Sequence, residues 1–156
     1  MPASTSCIYS KKNCLFDLGF RHFGRLTYPY LDSFSDALNI LFIYLIGWGK
    51  LDDDLPLASR LQEARVPIVS NTDCTNAYSQ GGINIEENSQ ICAGIGQIDT
   101  CAGDSGGPML SNELSPLQRY AVIGITSFGV ACADANFPGV YTRVDNYLDW
   151  IAQNMQ

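Results

Sequence analysis

Asp99-Thr100-Cys101-Ala102-Gly103-Asp104-Ser105-Gly106-Gly107-Pro108 is the most informative stretch of this 156-residue chain. Glycines on both sides of a serine let backbone N–H groups approach a reacting carbonyl with no Cβ in the way. The N–H groups of Gly103 and Ser105 are then available to stabilise the oxyanion of a tetrahedral intermediate, with Ser105 as the nucleophile.

Outward from that stretch, short runs rich in β-branched and aromatic residues recur at residues 42–46, 64–69 and 120–125, separated by Gly, Asn, Asp and Ser. That pattern predicts an all-β barrel with tight turns. The tail reads differently. Leu148, Ile151, Ala152 and Met155 recur at helical spacing, with Asp145 as a cap and Asp149 in the first turn. A helix from about Asn146 onward, docked by one apolar face, is expected, and residues 72–78 form a second short helical candidate.

The serine stretch resembles the nucleophile segment of the trypsin-like (chymotrypsin-fold) serine proteases. The likeness runs from Gly47 to Gln156. Gly47-Trp48-Gly49, Val66-Pro67-Ile68-Val69, Ile91-Cys92-Ala93-Gly94, Thr126-Ser127-Phe128-Gly129, the stretch from Phe137 to Val144 and Tyr147-Leu148-Asp149-Trp150-Ile151 follow in the family's order. The resemblance implies the second six-stranded antiparallel Greek-key barrel of that fold with a C-terminal α-helix, the first barrel being missing, over residues 47–156. It also implies a serine endopeptidase, a hydrolase needing no cofactor.

Residue by residue, the resemblance puts Asp99 at the floor of the primary specificity pocket. A carboxylate there attracts Lys or Arg and forks well to a guanidinium. Gly129 and Gly139 match the wall positions, Ser127 joins them in substrate binding, and Ala131 stands where many relatives have glycine. Asp104 matches the aspartate that pairs with an N-terminal ammonium created by activation cleavage. No Arg/Lys-Ile-Val-Gly-Gly-like junction occurs in residues 1–46, so the Gly103–Ser105 turn is expected to be poorly ordered, as in a zymogen.

Six cysteines are present. The four within the matching region allow three pairings, and the resemblance pairs Cys74 with Cys92 and Cys101 with Cys132. A further bridge common in the family is replaced here by Ile43 and Ser111. Neither a CxxC nor a Cys/His ligand set is present, so no metal site is expected. An oxidising, extracellular setting follows from the cysteines. Cys7 and Cys14 are left open between a pair and free thiols.

A serine hydroxyl needs an adjacent base, and the family supplies His and Asp ahead of the serine. The one histidine, His22, stands in Phe20-Arg21-His22-Phe23-Gly24, unlike the family's histidine segment, and only 25 residues before Gly47. Asp36 is a faint match to the triad aspartate, 11 residues before Gly47. Loss of such a partner lowers turnover by about a millionfold, so the chain as written is expected to be inactive.

Residues 1–46 are unmatched. Four basic residues face three acidic ones there, a net +1, whereas the whole chain carries −7 and residues 47–156 therefore −8. This shift marks a boundary near residue 46. No basic segment followed by an apolar one opens the chain, so no signal peptide is read. Residues 37–46 are too short for a membrane span and fit a first barrel strand. Two readings of this segment stand: misread sequence joined to a protease half, or a divergent replacement.

The acidic balance argues against nucleic acid and anionic membrane as partners. Asp52-Asp53-Asp54 reads as a solvated acidic loop. Expected partners are protein or peptide substrates with Arg or Lys, and protein inhibitors. The alternative is a non-catalytic protease homologue acting as a binding module, a pseudoprotease.

Overall fold

The computed structural model describes residues 42–94, 96, 98–112 and 120–155. Cys7, Cys14, His22 and Asp36 lie outside the described residues. The strands are β1 (Ile43–Gly47), β2 (Gln62–Val66), β3 (Ile68–Val69), β4 (Gln90–Ala93), β5 (Pro108–Ser111), β6 (Ala121–Phe128) and β7 (Gly139–Arg143). Helix α1 (Asn71–Ser79) sits between β3 and β4, and a 3-10 turn, Val144–Tyr147, leads into helix α2 (Leu148–Asn154).

All pairings are antiparallel, in the order β2-β1-β5-β6-β7-β4-β3. The two outermost strands, β2 and β3, are consecutive in the chain and separated by Pro67 alone. Proline has no N–H to give to a ladder, so the run 62–69 bends there. Its first part pairs with β1 and its second with β4. Counted as one bent strand, it closes the sheet into a six-stranded barrel, the all-β architecture expected.

Alternation along the strands sorts the side chains. Ile43, Leu45, Val66, Ile91, Ala93, Met109, Ile123 and Tyr141 fill the barrel interior. Burial of each larger apolar side chain contributes about 1.5–3 kcal/mol. Cys92 and Val140 point the other way and meet Val69, Cys74, Tyr78 and Ile85 beneath α1. Strand β7 is therefore buried on both faces. The Cys74–Cys92 disulfide ties α1 to β4.

Helix α1 starts at Ser70, whose hydroxyl accepts the Asp73 N–H at 3.1 Å and donates to Asp73 Oδ2 at 2.6 Å. That satisfies one of the helix's free N-terminal donors. The C-terminal helix departs from expectation in two ways. Asp145 does not cap it, because its carboxylate is taken by Arg143 Nε at 2.9 and 3.2 Å. Nor is α2 docked by an apolar face: none of its side chains is buried, and Leu148, Trp150 and Met155 are exposed. The 3-10 turn takes up the contact with β6 instead.

Ile43 and Ser111, the positions where a bridge is replaced, are both fully buried. β1 and β5 pair Tyr44 with Leu110 and Leu45 with Met109. Continued by one step, this register sets Ile43 opposite Ser111.

Candidate active site

Two tight turns in succession carry Ser105. Asp104 N–H donates to Cys101 O at 3.0 Å and Gly107 N–H to Asp104 O at 2.8 Å. The third residue of each turn is a glycine with positive φ, Gly103 at 101° and Gly106 at 80°. Such turns demand a left-handed residue there, which glycine supplies without strain. Ser105 is exposed at the second position of the later turn. Among the described residues, the N–H groups of Gly103 and Ser105 and the Ser105 hydroxyl have no hydrogen-bond partner.

The turns are anchored on both sides. Gly106 N–H donates to Thr126 O and Thr126 N–H returns the bond to Gly107 O, each at 2.9 Å. This brings the serine turn beside Ser127, which sits at a register shift of β6 against β7. On the other side, Asp104 Oδ1 accepts the Gly49 N–H at 2.7 Å and Oδ2 accepts the Cys101 N–H at 3.0 Å. A Cβ at Gly47 or Gly49 would overlap the Asp104 carboxylate. The segment from Cys101 to Gly107 thus forms two closed turns, with two backbone donors on the Asp104 carboxylate.

Asp99 lies at the base of the neighbouring region. Its Oδ1 accepts the Thr100 N–H at 2.7 Å and the Tyr141 hydroxyl at 3.1 Å, while Thr100 Oγ1 is 3.5 Å away. Oδ2 has no hydrogen-bond partner among the described residues. Burial raises the Asp99 pKa, the negative charge of Asp104 adds to the rise, and the hydrogen bonds from Thr100 and Tyr141 oppose it. A Cβ at Gly139 would fall 2.6 Å from Asp99 Oδ1 and 2.8 Å from the Tyr141 hydroxyl. A Cβ at Gly129 would meet nothing closer than Ala131 O at 3.8 Å, so that side stays open.

The Cys101–Cys132 disulfide joins the serine turn to the segment bearing Gly129 and Gly139, with Cα atoms 5.0 Å apart. From the far side, buried Tyr78 donates its hydroxyl to Pro138 O at 2.7 Å and meets Phe128 and Phe137 edge-on. Burial and the charges of Asp99 and Asp134 push the Tyr78 phenol up to about 12, so it stays a donor. The fold therefore gathers Asp99, Asp104, Ser105, Ser127 and Gly139 around one loop system. His22 and Asp36 are not among the residues described.

The sequence reading missed three supporting groups. Tyr141, with its ring in the barrel core and its hydroxyl on Asp99, carries a pKa raised by burial and then by the Asp99 charge. Its alternation with Val140 on β7 was the available signal. Thr100 follows Asp99 directly. Gly47 and Gly49, matched above only as part of the family's order, also form the cradle for Asp104. One oxygen of Asp53 and the sulfurs of Cys101 and Cys132 lie within 4.8 Å of one another. With both sulfurs bonded to each other, this cluster offers a metal only a single carboxylate.

The Trypsin family profile matches residues 38–151. A trypsin of Tyrophagus putrescentiae, Trypsin Tyr p 3.0101, is 46% identical over 114 residues, covering 70% of this chain and 36% of that protein. Venom serine protease Bi-VSP of Bombus ignitus is 42% identical over 134 residues, covering 81% of this chain and 36% of that protein. Human serine protease 56 is 41% identical over 113 residues, covering 71% of this chain and 18% of its own length. The chain thus spans 18% to 36% of the length of these relatives. By its barrel, its serine turns and these matches, the chain belongs to the trypsin family of serine proteases.

Proposed function

We propose that the chain is the nucleophile-bearing half of an extracellular serine endopeptidase that cleaves after Arg or Lys. Ser105 is the nucleophile in this reading, and the N–H groups of Gly103 and Ser105 receive the oxyanion. The observation that carries the specificity is Asp99: Oδ1 is held by Thr100 and Tyr141 close to Gly139, and Oδ2 has no hydrogen-bond partner among the described residues. A carboxylate oriented in that way suits a guanidinium or ammonium group. Ser127 and Gly129 line the approach. Two disulfides support an oxidising compartment. Among the described residues, no helix is long and apolar enough to cross a membrane.

Asp104 is the proposed acceptor of an N-terminal ammonium. A cavity of about 40 Å3 beside it is lined by Leu45, Ile46 and Ala64 together with the polar Gln62 and the carboxylates of Asp99 and Asp104. That combination fits a small apolar residue with a charged α-amino group. The general base and its orienting acid are proposed to come from outside residues 47–156, since His22 is the chain's only histidine. On its own the chain is proposed to be a binder without turnover.

The test is binding of benzamidine, a cation of arginine-like shape, to the 156-residue chain by calorimetry, with a fluorophosphonate probing Ser105. Binding that survives in Ser105→Ala and is lost in Asp99→Asn, with no fluorophosphonate labelling, is expected. Equal binding by Asp99→Asn would remove the pocket assignment, and rapid labelling of Ser105 would remove the claim of inactivity.

A further inference from the structure

The loop after β1 does more than carry charge into solvent. Lys50 N–H donates to Ala102 O at 2.9 Å, Lys50 Nζ to Asp53 O at 2.9 Å and Asp53 N–H to Asp52 Oδ1 at 2.7 Å. The first bond ties the loop to the serine turn and the other two shape the loop internally, and one Asp53 oxygen comes within 4.8 Å of both sulfurs of the Cys101–Cys132 bridge. Both cysteines are only partly buried, whereas Cys74 and Cys92 are fully buried. The less buried bridge is the one that carries a carboxylate beside it.

Reduction of a disulfide by a small thiol proceeds through anions. A thiolate attacks one sulfur, the S–S bond breaks, and the other cysteine leaves as a thiolate. A second thiolate then releases the first cysteine. The thiol is oxidised to its disulfide by two electrons, and its two protons end on Cys101 and Cys132. A carboxylate next to the sulfurs repels the incoming thiolate and raises the energy of the departing one.

Other charges face the bridge as well. Asp104 Oδ2 accepts the Cys101 N–H, and Asp134, two residues past Cys132, accepts the Asn136 N–H at 2.7 Å. The opposing charge on the loop is the Lys50 ammonium, bonded to the Asp53 carbonyl.

We propose that Asp53 shields the Cys101–Cys132 bridge from anionic thiols, so that this bridge selects its reductant by charge. The shielding stands on the Asp53 geometry alone. Its consequence, that opening the bridge frees the wall bearing Gly129 and Gly139 and loosens cation binding, rests on the Asp99 pocket reading.

The experiment follows reduction of each bridge in the intact chain by differential alkylation and mass spectrometry, with glutathione as the anionic thiol and cysteamine as the cationic one. In Asp53→Asn the glutathione rate at the Cys101–Cys132 bridge is expected to rise about three- to tenfold relative to cysteamine. The buried Cys74–Cys92 bridge, unchanged, reports that the variant is folded. In the wild type, raising NaCl from 10 mM to 1 M is expected to bring the two thiols' rates together, a readout that needs no variant.

An unchanged glutathione-to-cysteamine ratio in folded Asp53→Asn overturns the proposal. So does an equal effect of Asp52→Asn, or a wild-type ratio indifferent to salt. Benzamidine titration of the oxidised and bridge-reduced chain tests the consequence separately. If shielding holds while the oxidised chain binds no benzamidine, the pocket reading fails and the shielding survives.

Discussion

The hydroxyl of Tyr141 reaches Asp99 Oδ1 at 3.1 Å from a ring that packs in the barrel core, so one side chain both fills the interior and holds Asp99. Removing only that oxygen separates the two duties. In Tyr141→Phe the core stays filled, and Asp99 loses one of the donors that favour its charged form. Benzamidine affinity at pH 7 is expected to fall about three- to tenfold, the loss of one net hydrogen bond to a charged group. Calorimetric titration measures it, and an unchanged Kd would detach Tyr141 from the site.

The raised Asp99 pKa sets a pH dependence of definite sign. Because its folded value lies above its unfolded one, the native state holds this proton over a window where the unfolded chain has released it. Asp99 thus disfavours folding as pH rises through that window, the reverse of a carboxylate in an ion pair. Asp99→Asn is expected to be more stable than wild type at pH 7, with the difference vanishing below the unfolded value. Urea midpoints from pH 3 to 8 give the comparison; a variant less stable at pH 7 would contradict it. The cation binding proposed at Asp99 is expected to follow the opposite course, weakening as pH falls and Asp99 takes up its proton.

Gly49 and Asp104 make a mutual fit that tolerates no added carbon. In Gly49→Ala the new Cβ meets the carboxylate, which must move or surrender its bond from the residue 49 N–H. Destabilisation of about 1–3 kcal/mol is expected, within the range for overpacking and for stripping a partner from a partly buried charge. Asp104→Asn in the same background should recover little of it, because the amide is the same size. Chemical denaturation of the two single variants and the double variant measures the coupling.

Strands β1 and β5 offer a place to restore a covalent link. With Ile43 set opposite Ser111 by the register, Ile43→Cys with Ser111→Cys is expected to oxidise spontaneously and raise stability by about 2–4 kcal/mol. Removal of the buried isoleucine side chain offsets part of that gain. Denaturation of the double variant and the wild type without reductant, with thiol counting, checks it; two extra free thiols and no rise in the midpoint would mean the register carries these positions apart.

Much of this molecule was legible from its residues because its turns are chemically explicit. Gly103 and Gly106 mark the two left-handed positions around Ser105, and the cysteines marked the two stapled pairs once the resemblance chose among the pairings. What escaped was long-range. Nothing local in Tyr141 says that its hydroxyl meets Asp99, 42 positions away, nor does Tyr78 announce that it holds Pro138 across 60. The tail misled for a related reason. Its spacing predicted the helix correctly, yet periodicity says which face is apolar and not whether anything packs on it. Asp145 had the chemistry of a cap, and Arg143 took its carboxylate first.

The bend at Pro67 has a further consequence, for association. Sheets that end in long, flat, unpaired strands act as templates for other chains. Here the outer edge of β2 is five residues long, carries Glu63 and Arg65 and stops at the proline, while β3 contributes two residues. An incoming strand therefore meets charge within two residues and a missing donor within six. Growth by strand addition is discouraged from this edge.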